Sequence, residues 1–128
     1  MKSILIVEDI SETRAWLREA AEASFPGSGI REAAYVREAV YAIKGHKFDI
    51  TIIDLGLPDG MEDLAYLKTL ALVLEELRDR ITPDIVFYNA GVDVHRDDRL
   101  GRLSLTDHGI EQRERMVFAH FRQRGIPV

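Results

Sequence analysis

Two groups of side chains in this sequence have types and spacing that suit chemistry. The first joins the acid pair Glu8 and Asp9, which ends the apolar run Ile4–Val7, to Asp54, which ends the run Ile50–Ile53. Both runs are short and rich in β-branched residues, as buried strands are, and Pro58, Asp59 and Gly60 then form a turn. The three carboxylates should therefore meet where parallel strands end, the edge at which open α/β sheets build their sites. Like charges held together resist ionisation unless a cation neutralises them, and a hard divalent ion with oxygen ligands does so. Mg²⁺ is the expected cation, with Glu8, Asp9 and Asp54 as its ligands. Beside it Asp54 has the chemistry of a nucleophile towards a phosphoryl group. The second group runs from Asn89 to Asp98. A catalytic zinc takes three protein ligands, and Asp93 with His95 supplies two at most, so zinc is not expected here. His95, His108 and His120 are read as solvent-facing or capping residues.

The elements that must position these residues alternate along the chain. Ile4–Val7 makes the first strand. Ser11 then caps a helix carrying Trp16, Leu17, Ala20, Ala21 and Phe25 at helical spacing, which Pro26 and Gly27 end. A weaker strand over Gly29–Ala33 leads to a helix with Val36, Ala39, Val40 and Ile43 on one stripe. The strand ending at Asp54 follows. Leu64, Leu67, Leu70, Ala71, Leu74 and Leu77 then mark a longer helix that Pro83 halts. Ile85–Tyr88 reads as a fourth strand and Val92–Leu105 as a long polar connection. Ser104 or Thr106 caps a last helix, with Ile110, Val117 and Phe121 facing inward. Its alternating Arg, Asp and Glu residues read as a solvated face.

This alternation predicts an α/β fold: a three-layer α/β/α flavodoxin-like parallel sheet of order 2-1-3-4, with a short or missing fifth strand. The 128 residues, 46% hydrophobic, suit a single domain over 1–128. A fourth strand left at the edge would be uncovered, and such edges pair with other chains, so either a weak homodimer through it or an irregular last segment covering it is expected. The sequence has no cysteine, which excludes disulfides and thiolate chemistry and fits a reducing, cytoplasmic setting. The opening MKSILIVEDI has too short an apolar run for a secretory signal, and no run is long enough to span a membrane. A net charge of −5 argues against nucleic acid, whose phosphates are bound by cations.

Residues 1–60, with ILIVED after the start and IIDLGLPDG at the end, resemble the first half of a response-regulator receiver domain. The resemblance implies that Glu8 and Asp9 help to hold Mg²⁺ and that Asp54 accepts phosphate from a histidine kinase. At the switch position, where receivers carry Ser or Thr, stands Asn89, and the Lys-Pro of their fifth strand has no counterpart. Residues 61–128, with PDIVFYNAGVDVHRDDRLGRLSLTDHG, are similar to the C-terminal part of the histone deacetylase family, of arginase/deacetylase fold. That resemblance implies that Asp93, in the AGxD stretch, stands at a zinc-ligand position. The Asp-x-His pair, the active-site His pair and the Tyr of that family have no match.

The two partial resemblances together suggest an engineered chimera that is not an enzyme, has no native biochemical function and keeps a vestigial receiver-type site. A phosphoacceptor signalling module, phosphorylated on Asp54 with Mg²⁺ and served by a histidine kinase, is the alternative. A zinc-dependent deacetylase stands third.

Overall fold

Four consecutive apolar residues, Ile4, Leu5, Ile6 and Val7, are almost wholly shielded from solvent. They make β1 (Ser3–Val7) the centre of the first part of the protein. In the computed structural model, which describes every residue except Leu55, β1 pairs in parallel with β2 (Gly29–Ala33) on one side and β3 (Ile50–Ile53) on the other. The order is β2-β1-β3.

Alternation along β1 decides what covers it, because successive side chains point to opposite faces. Ile4 and Ile6 meet Ala21 and Leu17 of α1 (Ser11–Ser24). Leu5 and Val7 meet Ala39, Ala42 and Ile43 of α2 (Val36–Gly45). A continuous apolar strand is thus sandwiched between two helical layers, which gives the α/β, flavodoxin-like arrangement. The start of α1 differs from the expected cap. Ile10 is the N-cap residue and makes no side-chain cap bond, while the Ser11 hydroxyl donates to Glu12.

The chain divides into two compact units, Met1–Gly56 and Leu57–Val128. The change of resemblance read at Gly60 lies inside the second unit. That unit is built on α3 (Asp63–Arg80) and α4 (Asp107–Arg122). Leu74, Val117, Phe121 and Ile126 form its buried core, with Leu70, Val86, Tyr88, Met116 and Val128 packed around them.

The helix starts of this unit are tied together. Thr106, the N-cap of α4, accepts from the Gly109 amide at 3.1 Å, as its sequence position suggested. Its own amide donates to Asp63 at 2.8 Å, and its hydroxyl donates to the other Asp63 oxygen. The 92–105 connection is ordered by its own hydrogen bonds. The Arg96 amide donates to the Leu105 carbonyl, and the Leu105 amide to the Val94 carbonyl. Leu105 is completely buried.

The expected fourth strand is not formed, and among the described residues the sheet has three strands. The extended run Ile85–Tyr88 has alternating exposure, Val86 and Tyr88 inward and Ile85 and Phe87 outward. Its Val86 amide donates to the Pro127 carbonyl. Pro127 has no amide and so cannot return that bond. Among the described residues no helix is long and apolar enough to cross a membrane.

Candidate functional site

The first unit places an acid at the carboxyl end of β1 because the β1 run stops there. Glu8 follows Val7 into the interior and is only 2% exposed. Its Oε1 accepts the Ile10 amide at 2.8 Å. Its Oε2 is buried and has no hydrogen-bond partner. Asp54 leaves β3 alongside, its amide donating to the Val7 carbonyl at 2.8 Å, and Asp9 and Asp54 are exposed.

Burial pushes the Glu8 carboxyl up from its ordinary range. The Ile10 amide opposes this, and the neighbouring Asp9 and Asp54 add to it. Neither aspartate can satisfy Glu8 while all are ionised, because carboxylates only accept. A cation would supply what is lacking. Among the described residues no three acidic or imidazole groups close on one point as a metal-ligand cluster. Mg²⁺, however, is held through one or two carboxylates and keeps several waters. Glu8 with Asp9 or Asp54, both of which neighbour it, would suit that mode; the Asp9 carboxylate lies over Gly56.

Arg14 is a member of this edge that sequence reading missed. From the first turns of α1 its Nη1 donates to the Glu8 carbonyl at 2.6 Å and to the Asp9 carbonyl at 3.4 Å. Its Nε lies 3.7 Å from Glu32 on β2. It therefore fixes the backbone that bears the acid pair. Its spacing of six residues from Glu8 is ordinary for a surface arginine and carries no signal.

Asn89 and Asp93 lie in the second unit, both exposed. Asp93 sits on a tight loop. A side chain on Gly101 would begin 1.6 Å from the Asp93 carbonyl oxygen, so that position needs glycine. Asp98 shapes the same loop by accepting from the Leu100 and Gly101 amides at 2.9 and 2.7 Å.

His95 does not turn to Asp93. Its Nε2 lies 3.1 Å from Asp107 Oδ1, and its Nδ1 accepts the Asp97 amide at 3.2 Å. With both nitrogens engaged, His95 is neither a metal ligand nor a solvent-facing residue. Asp93 and His95 thus do not turn to a common point. His120 also departs from expectation: its Nε2 is buried without a partner, against the edge of Phe121.

The arginine-rich run is not wholly a solvated face. Arg113 is 4% exposed and lies on the stripe Gly109, Arg113, Val117 and Phe121 that α4 buries. Its Nη1 donates to the Gly91 carbonyl at 2.8 Å, and its Nε and Nη2 donate to Glu114. The i, i+4 placement with Val117 and Phe121 was the available signal.

The comparisons with known proteins find two likenesses, whose matched stretches overlap along the chain and do not part at Gly60. The profile of the family described as Histone deacetylase domain matches residues 17–128, and the chain belongs to that family. It is 50% identical over 76 residues to an uncharacterized protein of a Picosynechococcus species, covering 59% of this chain and 25% of that protein. To Histone deacetylase 2 of Arabidopsis thaliana it is 38% identical over 63 residues, 49% of this chain and 16% of the relative. It is also 33% identical over 100 residues to the KDP operon transcriptional regulatory protein KdpE of Escherichia coli, 73% of this chain and 43% of KdpE. The chain thus spans a quarter or less of the first two of these relatives and less than half of the third.

These findings correct the expectation that the protein is not an enzyme, since the family it belongs to is named for an enzymatic activity. They lend no support to an engineered origin. Both likenesses, deacetylase and response regulator, are present in one chain.

Proposed function

We propose that the chain joins a receiver-type acidic unit, which binds a divalent cation and accepts a phosphoryl group on Asp54, to a portion of a deacetylase-class amide hydrolase that presents Asp93. Glu8 carries the first half. It is a buried acid with one oxygen held by Ile10 and the other lacking a donor, beside Asp54. Mg²⁺, when bound, neutralises oxygen charge on an incoming phosphoryl group. An Asp54 carboxylate oxygen then attacks phosphorus, and the bond to the donor's leaving group breaks as the acyl phosphate forms. Arg14 keeps the acid-bearing backbone in place. The reading extends to phosphorylation of Asp54 and no further.

Beryllofluoride with Mg²⁺, followed by amide NMR, tests this half. Shifts centred on Asp54 and Glu8 that vanish in Asp54→Asn are expected. An unchanged spectrum in the wild type refutes it.

Membership of the deacetylase family favours the second half, hydrolysis of acylated amines, as an activity of the longest form of the protein that contains this stretch. These residues contribute the Asp93 loop and not a whole centre. The test is turnover of an acetyl-lysine peptide by that longest form and by its Asp93→Asn variant. Loss of turnover in the variant supports the reading, and equal turnover overturns it.

A further inference from the structure

We infer that Arg113 is the positioning residue of the Asp93 loop: from the buried face of α4 it holds the Gly91 carbonyl and so fixes the backbone two residues before Asp93. The inference rests on the deacetylase-type reading of Asp93, but its test does not need catalysis. A fully buried arginine is rare unless paired, because a charge removed from water must recover its solvation from fixed partners. Here every arm of the guanidinium is used. Nε and Nη2 donate to Glu114, Nη1 donates to Gly91, and the group lies 5.8 Å from the Tyr88 ring centroid. Glu114 is itself fixed by the Tyr88 hydroxyl, which donates to it at 3.3 Å.

The neighbours on the stripe, Val117 and Phe121, are apolar. Methionine or leucine would therefore serve packing at that position without the desolvation cost. What an apolar side chain cannot do is reach across and donate to a loop carbonyl. The loop is held from its other end as well, where Asp98 binds the Leu100 and Gly101 amides and the Asp93 carbonyl fills the space above Gly101. Arg113 and the Asp98 turn thus bracket Asp93. Arginine suits the position because its planar fork serves Glu114 and Gly91 together, whereas lysine, a point charge with three donors, can still reach the Gly91 carbonyl but without the bidentate hold on Glu114.

The test is ¹⁵N relaxation on the whole chain without added metal, for the wild type, Arg113→Met and Arg113→Lys, with hydrogen exchange in α3 and α4 as the measure of fold. In Arg113→Met, order parameters over Val92–Asp98 should fall from about 0.85 towards about 0.6 while helix protection is kept. Arg113→Lys, which retains a donor for Gly91, should recover most of that order. A loop as rigid in Arg113→Met as in the wild type overturns the inference. So does loosening of loop and helices together, or a lysine variant no better than methionine. Should Arg113→Met fail to fold, Arg113→Lys decides alone: a rigid loop supports the role and a loose one removes it. The deacetylase reading falls separately, on the turnover comparison with Asp93→Asn.

Discussion

The Asp9 carboxylate lies over Gly56 so closely that a side chain at Gly56 would begin 2.1 Å from Asp9 Oδ2. The absence of a side chain at position 56 therefore decides where one acid of the sheet edge rests. Gly56→Ala should swing the exposed Asp9 side chain aside at a cost of about 0.5 kcal/mol or less, as for other surface changes. Thermal unfolding and the Asp9 carboxyl ¹³C shift check this together. A large loss of stability with an unmoved Asp9 would show that the backbone yields instead.

Glu8 makes the first unit sensitive to pH in a direction that can be stated. Its pKa is raised above 4.5 in the folded protein, so its contribution to stability is full below 4.5 and is lost as pH rises through the raised value. Unfolding of the first unit, followed at β1 amides, should move to lower temperature over that window. Glu8→Gln should flatten the slope, and Mg²⁺ should restore stability above the window in the wild type alone. A slope that survives Glu8→Gln would assign it to another group.

Asp63 and Gly109 form a second close pair. A Cβ on Gly109 would lie 2.0 Å from Asp63 Oδ1, and that carboxylate is fixed by Thr106. Gly109→Ala should destabilise the second unit by about 1–3 kcal/mol through overpacking. Thr106→Ala should cost about 1–2 kcal/mol by removing the cap. Denaturant titration of both variants provides the measurement, and a near-zero effect for Gly109→Ala would mean that Asp63 is free to move.

The same pair fixes an acid limb. Burial acts to raise the Asp63 pKa, yet the two Thr106 bonds outweigh it and the pKa is lowered from 3.8. Its stabilising contribution is present above 3.8 and is lost as pH falls through the lowered value. Asp63→Asn should abolish that part of the acid transition in the second unit, read by circular dichroism against pH.

His120 acts in a higher window. Burial first, then Arg124 and Arg78, lower its pKa from 6.5. A depressed pKa means that stability is present above 6.5 and declines as pH falls below it, because the unfolded chain takes up the proton first. His120→Met should remove the decline between neutral pH and the onset of the Asp63 transition. Amide exchange across α4 at several pH values provides the check.

Much of this organisation is written in local patterning. Ile4–Val7 announced a strand, but the central place expected for the run ending at Asp54 falls to β1, with β3 at an edge of the three described strands. Ser104 and Thr106 both offered a cap for α4, of which the structure uses Thr106, and the ends of β1 and β3 announced the places of Glu8, Asp9 and Asp54. Ile85–Tyr88 misled, because β-branched and aromatic residues mark an extended run without saying whether a partner will pair with it. Pro127 is what faces Val86.

The sequence by itself determined where acids, turns and helices fall, since those depend on neighbours along the chain. Only the tertiary structure decided which charges lose their water. Glu8 is buried and Asp9 and Asp54 are exposed; Arg113 is buried although it stands in a run of charged residues. Desolvation depends on atoms brought in from distant elements, such as Asp54 beside Glu8 and Gly91 against Arg113, and no periodicity in the chain encodes those encounters.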